Sequence, residues 1–186
     1  SPRICIPSRN KRLYEKQAAP RQIASKLAFA PGIYYLCGMT SLFHDIIFGP
    51  VHSRRLGLSL GVNLLPTESK LCSFDCIYCE CGWNAEHPGA RRFNTREDVR
   101  TQLAATLRRM VADGTPPDVI TFAGNGEPTM HPEFEAVIGD TIALRDELCP
   151  SARVSVLSNA TQLHREGVRR ALRSVDNNIL KLDSAF

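Results

Sequence analysis

The sequence predicts an α/β domain built on a parallel sheet, and two patterns support this. Short apolar segments rich in β-branched residues alternate with longer segments whose apolar residues recur at steps of three or four. Turns rich in glycine, serine or asparagine follow the apolar segments. Strict alternation of strands and helices implies parallel strands joined by right-handed crossovers. A chain of 186 residues with 43% hydrophobic content is long enough for one domain with a core.

The predicted element order is β-α-β-α-β-α-β. The first helix should run from Thr95 to Asp113, because Thr95 and Asp98 resemble a capping box and Gly114 suits a C-terminal stop. A second helix should begin near Pro132, since proline is tolerated in the first turn. A third helix follows the third strand. The predicted strands cover residues 61–65, 119–123, 153–157 and 179–182.

The first 45 residues lack a sustained period of 2 or 3.6 and contain four prolines. We interpret residues 1–45 as an N-terminal extension, either disordered or not native, and residues 46–186 as the core domain, incomplete at its C-terminus. Met39 is the expected natural start. Residues 1–38 carry seven Lys or Arg against one acid. The remaining chain is therefore slightly acidic and gives no strong indication of a nucleic-acid groove, although RNA is not excluded.

The charge-free run at residues 27–43 is short for a membrane span and is interrupted by proline and glycine. No clean apolar core of a signal peptide follows the basic start either. These features predict a cytoplasmic protein with no membrane partner.

Three of the seven cysteines, Cys72, Cys76 and Cys79, lie within eight residues at the spacing C-x3-C-x2-C. This crowding is poor for disulfides but typical of a metal site. Three thiolates can hold a 4Fe-4S cluster and leave one iron open. A zinc site completed by Cys81 or His87 is the alternative.

The cysteine loop resembles that of the radical S-adenosylmethionine superfamily. Three further segments, at residues 48–51, 53–57 and 59–63, resemble its iron-sulfur oxidoreductases related to tRNA wyosine-base synthetases. The resemblance covers about residues 46–186. It implies a partial (βα)6 TIM-like barrel, here truncated after about four strands. It also implies an enzyme whose 4Fe-4S cluster reductively cleaves S-adenosylmethionine to a 5'-deoxyadenosyl radical.

According to the resemblance, that radical abstracts hydrogen from an unidentified substrate, for which a tRNA nucleoside is one candidate. An external one-electron donor of the flavodoxin or ferredoxin type would be a partner. The three cysteines would ligate the cluster, while no other catalytic residue is assigned. Six positions would bind S-adenosylmethionine: Tyr78, Gly124, Gly126, Glu127, Ser158 and Asn159.

In this interpretation Tyr78 lies against the adenine and Glu127 receives the amino group, for which a carboxylate is a suitable partner. The loop at residues 124–128, Gly-Asn-Gly-Glu-Pro, has one residue more than the Gly-Gly-Glu-Pro element it resembles. Either Gly124 or Gly126 could therefore provide the backbone contact.

Simpler explanations exist for each feature. The glycines could form an ordinary tight turn and Glu127 could be a surface acid. Ser158 and Asn159 could satisfy local backbone groups in a turn. Cys81 is expected to be a bystander thiol. The alternative function is a non-catalytic zinc or iron-sulfur module for binding or electron transfer.

Overall fold

The computed structural model describes residues 40–86 and 92–181. Most of the predicted N-terminal extension, the proposed start at Met39 and the alternative zinc ligand His87 lie outside the described residues. The chain divides into two units, Ser1–Met39 and Thr40–Phe186, and the second is the domain described below.

Within the described residues, the domain is an open α/β sheet of five strands with three α-helices. In chain order the elements are β1 (Ile47–Ser53), β2 (Gly57–Val62), α1 (Arg96–Ala112), β3 (Val119–Phe122), α2 (Phe134–Leu148), β4 (Arg153–Ser158), α3 (Glu166–Ser174) and β5 (Asn177–Leu180). The strand order is β1-β2-β3-β4-β5, with β1 antiparallel to β2 and the other neighbours parallel.

The predicted partial (βα)6 barrel is therefore wrong, because the described strands form a mixed sheet. The antiparallel strand β1 was missed, since Gly49 and Pro50 interrupt its pattern and the register shifts between Phe48 and Val51. The first predicted strand, 61–65, is likewise displaced: β2 spans Gly57–Val62. Phe48 lies over Gly61, where a Cβ would come within 2.2 Å of the ring. A glycine in β2 is thus needed for the hairpin to close.

The first predicted helix is confirmed as α1. The Thr95 hydroxyl accepts a hydrogen bond from the Asp98 N–H at 3.1 Å and caps the helix start. Val111 is exposed because it lies one position beyond the buried face of the helix. The residues of α1 that are buried are Val99, Leu103, Ala104, Leu107 and Met110.

The core lies between the sheet and the helices. Alternate residues of the three central strands enter it, which follows from the two-residue period of a strand: Leu60, Val62, Ile120, Phe122, Val154 and Val156. Burial of such a side chain contributes roughly 1.5–3 kcal/mol.

The intervening residues form a polar sheet face. The Ser59 and Thr121 hydroxyls are 2.8 Å apart, and the Asn177 amide donates to the Ser155 hydroxyl at 2.9 Å. In the described part of the chain no helix has the length and apolar character needed to cross a membrane.

Candidate functional site

The cysteine loop after β2 is held in shape by three polar side chains: Lys70, Asp75 and Asn84. One Asp75 carboxylate oxygen accepts hydrogen bonds from the Lys70 ammonium at 3.1 Å and from the Asn84 N–H at 2.8 Å. The Asn84 amide in turn accepts from the Cys72 N–H and donates to the Cys72 carbonyl, each at 3.1 Å. Lys70 also donates to the Gly82 carbonyl at 2.6 Å. The loop is thus fixed at both ends by its own chain.

The charge on Lys70 is buried but compensated. Burial alone would lower the pKa of Lys70, yet its bond to Asp75 and the neighbouring thiols raise that pKa above its ordinary value. The pKa of Asp75 is lowered, first by the hydrogen bond from the Asn84 backbone and also by Lys70. Both groups therefore stay ionised at neutral pH, and the ion pair persists beneath the cysteine loop.

The glycine-rich loop after β3 packs directly on the chain before the cysteines. Leu71 forms an isolated parallel bridge with Gly126, where a Cβ would lie 1.9 Å from the Leu71 carbonyl oxygen. A Cβ on Gly124 would lie 2.4 Å from the Asn63 side-chain oxygen. Both glycines have positive φ, at +137° and +140°. Close approach of the chain to itself therefore accounts for glycine at both positions.

Asn125, between the two glycines, is fully buried and joins three segments. Its side-chain oxygen accepts from the Phe43 N–H at 2.8 Å, and its amide donates to the Phe43 carbonyl at 2.8 Å and the Pro66 carbonyl at 2.7 Å. The residue that lengthens this loop is therefore a structural link rather than a surface insertion.

Glu127 is buried, with 2% of its surface exposed, and connects the ends of β3 and β4. One carboxylate oxygen accepts from the Thr129 N–H and hydroxyl and from the Ser158 hydroxyl, the last at 2.8 Å. The other accepts from the Asn159 N–H at 2.7 Å. Glu127 is therefore not a surface acid, and four of its acceptor positions are used within the chain.

Ser158 and Asn159 combine turn chemistry with contacts to the cysteine loop. The Asn159 side-chain oxygen accepts from the Thr161 N–H at 3.1 Å, as expected for a local turn. Its amide group points the other way, donating to the Ser73 hydroxyl at 2.9 Å and lying 3.7 Å from the Cys72 sulfur. Asn159 thus connects the β4 turn to the first cysteine.

The thiols differ in their electrostatics. Burial raises the pKa of Cys72, although the Phe74 N–H donates to its sulfur. Hydrogen bonding from Cys81 lowers the pKa of Cys79 to about 5, and the same contact together with burial raises that of Cys81. Cys79 is therefore the more acidic thiol of the pair. Cys81, expected to be a bystander, is buried, and its thiol also donates to the Gly124 carbonyl at 3.6 Å.

All nine predicted site residues line one cavity of about 740 Å³ at the carboxyl ends of the parallel strands. Tyr78 forms part of its rim, where the Lys181 ammonium lies 3.9 Å from the centre of the tyrosine ring. The complete lining is Ser41, Phe43, Cys72, Cys76, Tyr78, Cys79, Glu80, Cys81, Ala123, Gly124, Gly126, Glu127, Leu157, Ser158, Asn159, Ile179, Leu180 and Lys181.

Within the described residues, no three His, Cys, Asp or Glu side chains are grouped so that they could hold a metal ion. The three cysteines share the cavity but do not form a metal site as they stand. The predicted radical-generating function and the alternative zinc or iron-sulfur module both require a preformed group of metal ligands, which the described residues do not provide, and these functional predictions are corrected.

Sequence reasoning missed the residues that shape the cavity. Lys70, Asp75 and Asn84 lie within or beside the cysteine loop. Their role in holding that loop was missed because only its sulfur atoms were considered as functional groups. Polar residues flanking closely spaced cysteines were the available signal. No sequence signal indicated Lys181, because its position over Tyr78 depends on how β5 joins the sheet.

The comparisons with known proteins find relatives that this chain matches over only part of their length. The chain is 34% identical to a UPF0026 protein of Helicobacter pylori over 139 residues, which is 75% of this chain and 42% of that protein. It is also 34% identical to a UPF0026 protein of Methanocaldococcus jannaschii, covering 75% of this chain and 40% of the relative. A protein of Brachyspira hyodysenteriae named GTPase Obg is 31% identical, but the chain covers 19% of it.

The chain thus spans less than half the length of these curated relatives. No family model matches it, and no solved structure does. The predicted membership of the radical S-adenosylmethionine superfamily is corrected accordingly: the relatives carry the name UPF0026, and no family match supports that superfamily.

Proposed function

We propose that this chain is a cofactor-binding domain whose ligand occupies the cavity beside the cysteines. One observation carries the proposal: the loops after β2, β3 and β4 converge on a cavity of about 740 Å³. Cavities of this size suit small organic ligands, and in α/β sheets such ligands bind outside the carboxyl ends of the strands. Buried hydrogen bonds hold all three loops, so the cavity is organised before any ligand enters.

We propose that the cofactors predicted from the sequence, a 4Fe-4S cluster and S-adenosylmethionine, bind in this cavity. The proposal concerns their binding and not a reaction. The donor set fits a cluster in two respects. Cys72, Cys76 and Cys79 all face the cavity, and N–H groups of Phe74 and Asn159 lie near the Cys72 sulfur, as sulfur-directed donors do around clusters. The three thiols would have to turn towards one another, since they do not form a metal-binding group as they stand.

S-adenosylmethionine fits the remaining lining in size and polarity. The cavity offers a partly exposed aromatic ring at Tyr78 and the negative charge of the Glu127 carboxylate. A ligand with a planar base and an ammonium group could use both. Four donors of the chain already bind the Glu127 carboxylate. We therefore expect this carboxylate to orient the bound S-adenosylmethionine more than to increase its affinity.

A cytoplasmic setting is part of the proposal, because reduced thiols persist there. We further propose that the cavity is an active site of an enzyme, on the analogy of other α/β folds. An external electron donor and an RNA substrate stay proposals that depend on a cluster being bound.

The first test is anaerobic incubation of the chain with ferrous iron and sulfide, and separately with zinc, followed by desalting and metal analysis. We expect about four irons per chain, as a 4Fe-4S cluster requires, and loss of this iron in the variant with Cys72, Cys76 and Cys79 all changed to serine. Cys149→Ala is the matched control, because Cys149 is buried away from the cavity. Wild-type chain that retains no iron would exclude the cluster.

The second test is equilibrium dialysis of the chain with radiolabelled S-adenosylmethionine, with and without prior iron loading. We expect saturable binding that weakens in Tyr78→Ala, since the ring supplies stacking area. Binding that is absent in both states would exclude this ligand but leave the iron result standing.

A further inference from the structure

Cys81 is a buried thiol of the cavity wall that the proposed cluster does not use. It is 6% exposed, and its sulfur donates to the Gly124 carbonyl at 3.6 Å. Cys81 is also a hydrogen-bond partner of the Cys79 sulfur, so two cysteine side chains meet at one point of the cavity. Two thiols in contact have a chemistry that neither has alone, since together they can be oxidised to one disulfide.

The backbone between the two cysteines is bent in a way that permits a disulfide. The Gly82 N–H donates to the Cys79 carbonyl at 3.0 Å, which closes a β-turn with Cys79 first and Cys81 third. Cα atoms two residues apart are separated by at most about 7.6 Å, because each trans peptide spans about 3.8 Å, and a turn shortens this distance. A disulfide needs Cα atoms about 4.4–6.8 Å apart. Rotation of the two side chains can therefore bridge the pair with little movement of the backbone.

Contacts outside the pair hold this turn in place. The buried Lys70 donates to the Gly82 carbonyl at 2.6 Å, and Gly82 has a φ of +71°, which favours glycine. The Gly124 carbonyl holds the Cys81 sulfur from the neighbouring loop. Groups that the fold keeps in contact react as intramolecular partners, without the entropic cost of an encounter.

The two thiols differ in their access to a reagent. Cys79 is half-buried and lines the cavity of about 740 Å³, so a small disulfide can reach its sulfur. Cys81 is more deeply buried, and burial protects a thiol from external reagents. A small disulfide should therefore react first at Cys79 and leave Cys81 to displace it. This order is that of a dithiol oxidised through a mixed disulfide.

We propose that Cys79 and Cys81 form a reversible thiol–disulfide pair whose oxidant is a low-molecular-weight disulfide such as glutathione disulfide. The Cys79 sulfur attacks one sulfur of the reagent, the reagent's S–S bond breaks, and one glutathione leaves with the Cys79 proton. The Cys81 sulfur then attacks the Cys79 sulfur, and the second glutathione leaves with the Cys81 proton. The chain loses two electrons and two protons, and glutathione disulfide gains them as two thiols.

The disulfide should be easily reduced again. The loop that it closes has one residue, Glu80, between the cysteines, and closing so short a loop constrains the unfolded chain little. Labile disulfides are regulatory rather than structural. The consequence for iron rests on the proposed function: a disulfide at Cys79 withdraws one of the three proposed cluster ligands. Oxidation of the pair and loading of the cluster therefore exclude each other.

The test is anaerobic incubation of the 186-residue chain with glutathione disulfide, followed by acid quenching, alkylation of the remaining thiols and digestion with chymotrypsin. This protease cleaves after aromatic residues, here Phe74, Tyr78 and Trp83. Cys76 is thus separated from the peptide of residues 79–83, which holds both members of the pair. We expect this peptide to lack alkyl groups and to be lighter than its dithiol form by one hydrogen per cysteine. Treatment with dithiothreitol before alkylation should restore both alkyl groups.

Three variants separate the roles of the two thiols. Cys81→Ala should retain a glutathione adduct on Cys79 that the wild-type chain does not keep, because the second thiol is missing. Cys79→Ala should carry no adduct on Cys81, since that sulfur is buried. Cys149→Ala is the matched control and should form the disulfide as the wild type does, because Cys149 is buried away from the cavity.

Three results would overturn the pairing. One is a bridge between Cys79 and Cys76, which would join two chymotryptic peptides. Another is a stable glutathione adduct on Cys79 of the wild-type chain, which would show that Cys81 does not displace it. The third is a wild-type chain in which Cys79 and Cys81 are both alkylated after the incubation.

Iron loading separates this inference from the proposed function. A chain loaded with iron and sulfide beforehand should resist glutathione disulfide, because iron holds the Cys79 sulfur. If the loaded chain forms the disulfide as the iron-free chain does, the pair stands and the assignment of Cys79 to the cluster fails. If the reduced chain takes up no iron, the proposed cluster fails while disulfide formation in the iron-free chain still supports the pair.

Discussion

The core beneath the helices and the cavity at the strand ends are stabilised in different ways. In the core, residues such as Ile120, Phe122 and Val154 are buried by apolar packing that any well-fitting apolar side chain could approximate. At the cavity, buried polar side chains such as Asn125 and Glu127 each bind several partners with defined geometry. The core therefore tolerates conservative changes, whereas the cavity loops depend on particular atoms.

The largest effect is expected in the core. Phe122→Ala should lower the free energy of unfolding by about 3–5 kcal/mol, because it removes a fully buried ring and leaves a cavity. Urea unfolding followed by circular dichroism measures this change. Leu157→Ala is the control: its side chain is partly exposed at the cavity, so the loss should be about 1 kcal/mol or less. Similar losses in both variants would contradict the distinction between core and cavity.

A smaller effect with a local signature is expected for Glu127→Gln. The amide keeps the shape of the side chain but replaces an acceptor with a donor facing chain N–H or O–H groups, at a cost of about 1–3 kcal/mol. Because Glu127 holds the Asn159 turn near Cys72, alkylation of Cys72, followed by peptide mass spectrometry, should also become faster.

The control for this change is Glu135→Gln, which removes an exposed ion pair with Arg170 and should leave both stability and Cys72 alkylation almost unchanged. If Glu127→Gln destabilised the chain without any change at Cys72, the carboxylate would stabilise the fold but not organise the cavity.

The smallest effect is a pH dependence at His131, which supports the loop between β3 and α2. Burial lowers the pKa of His131, and its ring accepts from the Glu133 N–H at 3.1 Å through one nitrogen, so the other donates to the Asn94 carbonyl at 2.8 Å. The unfolded chain takes up a proton near its ordinary pKa of 6.5, before the folded chain does. Stability should therefore be full above that pH and decline below it.

The midpoint of urea unfolding, measured between pH 7.5 and about pH 5.5, below the ordinary histidine pKa, gives the slope of stability against pH. His131→Gln should flatten it, whereas His164→Gln, at an exposed position, should not. An unchanged slope in His131→Gln would assign the pH dependence to other groups.

The local parts of the fold could be predicted because they depend on neighbouring residues. The limits of α1 followed from Thr95 and Gly114, and the three parallel crossovers followed from the alternation of elements. Strand β1 escaped prediction because its pairing with β2 is decided by contacts such as Phe48 on Gly61, which leave no periodic pattern. The barrel came from resemblance alone, and the described strands form an open sheet.

The site was predicted in its composition but not in its construction. The sequence placed the cysteines and the loops at 124–128 and 158–159 at the ends of strands, and the structure brings them to one cavity. It did not show that Glu127 accepts hydrogen bonds from four donors of its own chain or that Gly126 makes room for Leu71. The predicted binding roles of these residues stay predictions.

By itself, then, the sequence determined which residues alternate between strand and helix and which polar groups follow each strand, because side-chain period and turn preference are local properties. Only the tertiary structure decided the antiparallel first strand, the buried Lys70–Asp75 pair, the lowered pKa of Cys79 beside Cys81 and the position of Lys181 over Tyr78. Each of these depends on distances between segments far apart in the chain or on burial, which arise only when the sheet has formed.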